Sequence, residues 1–397
     1  MSVNPASPAM ARAINDRMAL DLLFEHKKLS APQLRELTGL SRPSVADLLE
    51  RLQENELIAV VGESGKKRRG PNAKLYGLVP DLAYLAGVDV RLGHVGIALS
   101  DITGNILATF RRPIDEEQHL ADLIEQAVRD AARQADAGTE KLHTVVIGAP
   151  GAVDQETGEL GYGYEFPDWD AELLPKLVDA LDVPIVLENE VNLAGLVELR
   201  QGAGKGRQDL AVLWLDRSVG SSIILDGRLR QGAAGAAGEV GKLALPGAPM
   251  PEAGRAAGGF HGLVSTSAVR ALGAEHGFTG RDVMKMVATA FEGKTEAATS
   301  FAAALAERVA MGALALVATI DPGLIVLAGE IGDAGGEAFA DAVAQRVASM
   351  TSIPVEVRPS ALTDDPVSYG ALLTALNIAH DDLYGGAAAL DLYESAG

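Results

Sequence analysis

The chain has 397 residues, 48% of them apolar and 4% aromatic, no cysteine, and a formal charge of −20. That length predicts two or three domains with ample apolar material for their cores. The missing cysteines exclude disulfides, thiolate zinc sites and cysteine nucleophiles.

The charge alone argues against nucleic acid, but it is unevenly spread. Residues 1–80 hold 12 Lys+Arg against 9 Asp+Glu, and the remainder 22 against 45. A mildly basic head on an acidic body is the asymmetry expected of a nucleic-acid module joined to a body that repels phosphate. No run of about 18 apolar residues is found, which predicts no membrane span. Met1–Met10 lacks the basic-then-apolar layout of a signal peptide. A cytoplasmic protein without a membrane partner is expected.

In chain order, Ile14, Met18, Leu22 and Leu23 recur at helical spacing, predicting a helix over 14–25. Ser30 before Ala31-Pro32 signals a second helix, proline in its first turn, which carries Leu34 and Leu37 inward and stops at Gly39. Ser41 caps a third, with Pro43 near its start and Val45, Leu48, Leu49 and Leu52 on one face. Two short helices separated by Thr38-Gly39-Leu40-Ser41 are a helix-turn-helix layout, the second helix of which would enter a major groove. Ser41, Arg42, Pro43 and Ser44 are its candidate DNA contacts, Arg42 foremost, with Asp47 further along the exposed face. A three-helix protein-interaction domain is the alternative.

Leu57–Val61 and Lys74–Leu78 read as two strands joined by a glycine-bounded loop carrying Lys66, Lys67, Arg68 and Arg69. Strand, basic tip and strand make a wing. Four consecutive cations suit phosphate or minor-groove contact. Alone they would be a solvated charge run, and their place directly after a helix-turn-helix weakens that alternative.

From Tyr84 the pattern turns to α/β. Strands are predicted at 85–90, 94–99, 106–110 and 144–153, a helix at 120–135, and later strands at 185–187, 210–215, 222–225 and 324–327 with helical patterns between the later ones. The ordered set Gly87-Val88-Asp89, Gly148-Ala149-Pro150-Gly151, Glu188-Asn189-Glu190-Val191-Asn192 and Gly238-Glu239-Val240-Gly241, following the winged head, resembles the ROK family of repressors, unassigned reading frames and sugar kinases. The resemblance runs from about Ala13 to about Ala379. It implies an N-terminal winged helix-turn-helix followed by a two-lobed α/β actin-like ATPase (ribonuclease H-like) fold. The division it implies is a DNA-binding domain at 1–80, a first lobe at 81–195 with 370–397, and a second lobe at 196–369.

The family's kinases carry small residues in two phosphate loops, where backbone N–H groups approach the nucleotide. Here Asp89-Val90-Arg91-Leu92-Gly93 and Asp216-Arg217-Ser218-Val219-Gly220-Ser221-Ser222 depart from both patterns, Arg91 and Leu92 being bulky and Asp216 anionic. Glu190 stands in place of the catalytic Asp, one methylene longer. Lys242 stands in place of a zinc-ligating His, so a four-coordinate zinc site of the family's type cannot form. Glu330 replaces a small residue on the adenosine side. These changes predict no catalytic residues, no cofactor and no metal.

Gly151, Asn189, Glu190, Glu239, Lys242 and His261 are the residues that the resemblance assigns to an effector. For Asn189 the alternative is helix-cap chemistry, for Glu239 a solvated loop, and Trp169 reads as lobe packing. Lys242 and His261 shift the pocket toward an acidic, phosphorylated or larger sugar. The expected protein is a repressor of operator DNA controlled by a sugar or sugar derivative, as a homodimer or dimer of dimers. Its rivals are a sugar kinase with a DNA-binding head and a constitutive DNA-binding protein with an unliganded body.

Overall fold

The computed structural model describes residues 8–64, 73–91, 93–114, 118–151, 153, 169, 172–253, 255–362 and 365–384. The wing-tip cations Lys66, Lys67, Arg68 and Arg69, like Leu92, lie outside the described residues.

The amino-terminal head runs α1 (Pro8–His26), β1 (Leu29–Ser30), α2 (Ala31–Thr38), α3 (Arg42–Glu54), β2 (Ile58–Glu63) and β3 (Lys74–Leu78), with its three strands in the order β1-β3-β2. Local chemistry sets these boundaries. Gln33 Oε1 accepts from the Ser30 backbone N–H at 2.9 Å and from Ser30 Oγ at 2.7 Å, closing the first turn of α2. Gly39 takes φ 69°, the left-handed turn that ends the helix and that a glycine adopts without strain. Ser41 Oγ accepts from the Ser44 backbone N–H and so caps α3. Leu34, Val45, Leu48, Leu49 and Leu52 are buried as the spacing predicts. Leu37, expected inward, is exposed, as is Ile14: α1 buries Ala19, Leu20 and Leu23, and α2 is too short to bury more than one leucine.

The body holds two sheets of five strands with the same pairing. The first comprises β4 (Tyr84–Arg91), β5 (His94–Asp101), β6 (Ile106–Pro113), β7 (Leu142–Ala149) and β8 (Ile185–Asn189) in the order β6-β5-β4-β7-β8. The second comprises β9 (Leu210–Leu215), β10 (Val219–Leu225), β11 (Arg228–Leu229), β12 (Leu324–Ala328) and β13 (Glu356–Pro359) in the order β11-β10-β9-β12-β13. In each, the first three strands are antiparallel and the last two join in parallel. The parallel joins need crossover helices, and the sequence places helical segments there.

Helices α4 (Leu120–Gln134) and α5 (Leu173–Leu181) cover the outer face of the first sheet, with Trp169 packed against that core. Helices α7 (His261–Val264), α8 (Thr266–Glu275), α9 (Val283–Glu292), α10 (Glu296–Ile320) and α11 (Gly329–Ala348) belong to the second lobe. By length and composition α10 is apolar enough to cross a membrane, and half of that stretch is buried against the second-lobe core. Helices α6 (Glu190–Gln201) and α12 (Pro366–Tyr384) lie between the two sheets, in an apolar cluster that also includes Leu20 and Leu23 of the head.

Candidate functional site

The site forms where β8 meets α6 under the loop that follows β10 and β11. Asn189 caps α6: its Oδ1 accepts from the Val191 and Asn192 backbone N–H groups at 2.8 and 3.2 Å, and its Nδ2 donates to the Gly151 carbonyl at 2.7 Å. Asn189 thus spends most of its amide on holding two segments together, the cap chemistry that its position allows. Glu188 is fully enclosed, accepting from the Asn189 backbone N–H, from Asn192 Nδ2 at 3.0 Å and from Gln231 Nε2 of the second lobe at 2.7 Å.

Glu190 opens α6 and is buried. Its Oε1 accepts from Ser218 Oγ at 2.8 Å, a hydrogen bond between lobes. Burial pushes its carboxyl up to about 7, opposed by Arg91 and reinforced by Asp89. Facing it, Gly238 takes φ 89°, and a Cβ there would sit 1.8 Å from the Ser221 carbonyl, so this turn requires glycine. Glu239 follows, its carboxyl raised by burial against the pull of Lys242. His261, at the start of α7, is pushed down by burial and by Lys242, which favours its neutral form.

One cavity is lined by all six positions expected to meet an effector: Gly151, Asn189, Glu190, Glu239, Lys242 and His261. Their roles differ from the expectation in one respect. Lys242 Nζ donates to the carbonyl oxygens of Glu252 and Arg255 and so ties down the loop between Pro246 and Gly259. Lys242 keeps its positive charge in this arrangement, acting on both Glu239 and His261, and Arg255 also lines the cavity. Sequence reasoning missed Ser218 and Arg255 as lining residues. Ser218 lies in a loop whose sequence signals are Asp216 and the glycines, and Arg255 is brought to the cavity by Lys242.

Close to Glu190, Arg91 bridges residues of both lobes. Arg91 Nε donates to Asp89 Oδ2 at 2.8 Å, its Nη1 lies 3.7 Å from Asp216 Oδ2, and its guanidinium sits 5.4 Å from the Trp214 ring centroid. Arg91 ends β4 and Asp216 follows β9, so a first-lobe cation is held by a second-lobe acid and indole. Beyond it a second cavity carries Arg91, His94 and Arg111 together with Glu198, Glu330 and Asp333 on its wall. Burial, with Glu198 and Asp216 nearby, pushes Asp333 up to about 6. Among the described residues no group of three or more His, Asp or Glu is arranged to hold a metal.

On the head, Ser41, Arg42, Pro43 and Ser44 are all exposed at the amino end of α3. Asp47 is exposed further along α3 and pairs with Arg51 Nη1 at 2.6 Å, while the same guanidinium grips Asp16 of α1 at 2.5 Å.

Residues 85–378 match the ROK family model. The chain is 26% identical over 239 residues to a xylose repressor of Caldicellulosiruptor bescii, covering 58% of this chain and 59% of that protein. It is 29% identical over 175 residues to a glucokinase of Halalkalibacterium halodurans, covering 43% and 52%. These alignments span roughly half to three-fifths of the relatives' own length. Among solved structures, a ROK family transcriptional regulator homologous to the E. coli MLC protein superposes with a TM-score of 0.75 at 17% identity over 94% of this chain and 98% of that one. A ROK hexokinase from Thermus thermophilus gives 0.64 at 25% identity over 75% and 99%.

Proposed function

The chain belongs to the ROK family, and from that premise we propose that it is a DNA-binding transcriptional repressor whose body binds a sugar or sugar derivative without phosphorylating it. The two lobes have the actin-like sugar-kinase fold of that family. In this reading residues 1–80 are a winged helix-turn-helix. Ser41, Arg42, Pro43 and Ser44 meet the major groove, and Lys66, Lys67, Arg68 and Arg69 meet the backbone or minor groove. Residues 81–195 with 370–397 and residues 196–369 are the two lobes, and the effector lies between them. A homodimer sets the spacing of two heads on half-sites about one helical turn apart or multiples of it.

The observation that carries the reading is Arg91. Its guanidinium, held by Asp89 and Asp216 and stacked on Trp214, stands at the phosphate end of the cleft, while the cavity around Glu190 and Glu239 stays open. Buried carboxyls and backbone groups at that cavity suit the paired hydroxyls of a sugar. The relatives named as xylose repressors support the same role.

The rival is phosphoryl transfer. It draws on Glu190, whose carboxyl near 7 has the basicity of a general base, and on the glucokinase relatives. Two measurements decide. Selection from a random duplex library, followed by fluorescence anisotropy, should enrich a palindromic site whose affinity falls steeply with salt. A coupled ADP-release assay across pentoses, hexoses and aminosugars should show no turnover, while calorimetry finds a sugar that binds and alters duplex affinity. Steady ADP release, or no enriched duplex, overturns the proposal.

A further inference from the structure

The head is fastened to the first lobe by a dense and largely buried set of contacts. Arg17 of α1, only 5% exposed, donates from Nη1 to the His380 carbonyl at 2.8 Å. Its Nη2 pairs with Asp381 at 3.0 Å and its Nε with Asp21 at 2.9 Å. Phe24 meets the His380 ring edge-on, with centroids 4.6 Å apart, and His380 stacks in turn on Tyr384 at 4.9 Å. His380 Nε2 donates to the Ile102 carbonyl at 2.9 Å, and Lys27 Nζ donates to the Thr103 carbonyl at the same distance. The receiving turn is itself braced, since Asp101 Oδ1 accepts from the Thr103 backbone N–H and hydroxyl. The connection between head and body is pinned as well: the Val79 N–H donates to the Leu57 carbonyl, and Asp81 pairs with Lys141 at 2.9 Å.

The receiving helix α12 is coupled to the effector cavity through α6, without lining the cavity itself. It packs along α6, the helix that Glu190 begins, so closely that a Cβ on Gly370 would lie 2.2 Å from the Leu193 carbonyl. One apolar cluster runs from Leu20 and Leu23 of α1 through Ala375 and Ala379 of α12 and Leu193 and Leu196 of α6 to Val212 of the second sheet. Close-packed interiors transmit displacement rather than absorb it.

We propose that the head and the first lobe form one rigid body, clamped by Arg17, Phe24 and Lys27 against the end of α12 and the turn at Ile102-Thr103, so that the head turns with the lobe and not on a loose tether. Movement of the lobes about the effector cavity then reorients the DNA-reading helix directly. That consequence rests on the function proposed above; the rigidity does not, and the test reads rigidity alone.

The absence of native cysteine makes that test clean. Spin labels on Glu36→Cys in α2 and Asp179→Cys in α5, in full-length protein diluted with unlabelled chain, report the distance between head and first lobe. A single narrow distribution is expected. It should broaden in Arg17→Ala and in the surface double variant Lys27→Met with Asp381→Asn, which keeps the apolar packing and serves if Arg17→Ala does not fold. A broad distribution in the parent, or one that stays equally narrow in the double variant and in folded Arg17→Ala, overturns the proposal. Neither result bears on whether the protein binds DNA or a sugar.

Discussion

Arg91 is the residue on which the body's electrostatics turn. Asp89 and Asp216 are buried, and burial raises both carboxyls while the guanidinium lowers them. Arg91→Met strands two acids in a low-dielectric site and should cost about 3–5 kcal/mol in urea unfolding. Adding Asp89→Asn should recover about 1–3 kcal/mol of that loss, a coupling that a double-mutant cycle measures directly. Glu190 imposes a pH dependence of defined sign. Its folded carboxyl, raised from 4.5 to about 7, binds a proton that the unfolded chain has already released in that interval. Stability therefore falls as pH rises from about 4.5 to about 7, by on the order of 3 kcal/mol from this group. Urea midpoints for Glu190→Gln should lack that part of the fall. Gly238→Ala drives a methyl into the Ser221 carbonyl in a left-handed turn. It should lower stability by about 3 kcal/mol or more and abolish sugar binding in calorimetry.

At the scale of elements, the helices of the head follow from their caps. Ser41→Ala removes the acceptor for the Ser44 N–H and should cost about 1 kcal/mol by chemical denaturation. Arg42→Ala should leave that stability unchanged and weaken duplex binding in anisotropy, because Arg42 is exposed at the end of α3. Where spacing misled, length and partners explain why. Leu37 repeats three residues after Leu34, but α2 spans only two turns and the α1 and α3 faces close over the first leucine alone. The two-residue β1 and the four-residue β13 carried no periodic signal, being too short for alternation to register. The apolar run in α10, by contrast, is explained by packing, since Ala298, Phe301, Leu305 and Val309 are buried in the second lobe.

Across the whole molecule, two lobes with matching sheet topology hold a cavity between them, and a head is clamped to one. Glu188–Gln231 and Glu190–Ser218 are hydrogen bonds that cross between the lobes, and Arg91–Asp216 adds an ion pair. On the function proposed above, a ligand that displaces Ser218 from Glu190 would bear on a contact between the lobes, and such a contact can give the differential affinity that an effector needs. The acidic body leaves phosphate binding to the head. Replacing Lys66, Lys67, Arg68 and Arg69 together by Ala should weaken duplex binding across all sequences and flatten its salt dependence, by roughly 0.9 in log–log slope for each phosphate that is no longer neutralised.

The sequence by itself determined the order of the longer elements and the caps of the head's helices, because caps, turns and periodic faces act through neighbours a few residues away. It also named the six cavity positions, through motifs whose order survives without knowledge of their spatial partners. Only the tertiary structure decided that Arg91 and Asp216, 125 residues apart in numbering, neutralise each other, that Lys242 also donates to the carbonyls of Glu252 and Arg255, and that Arg17 joins the head to α12. Each of these is a long-range pairing of charge with charge or with a carbonyl. Such partners are set by how sheets and helices pack, and no local pattern in the chain encodes the distance between them.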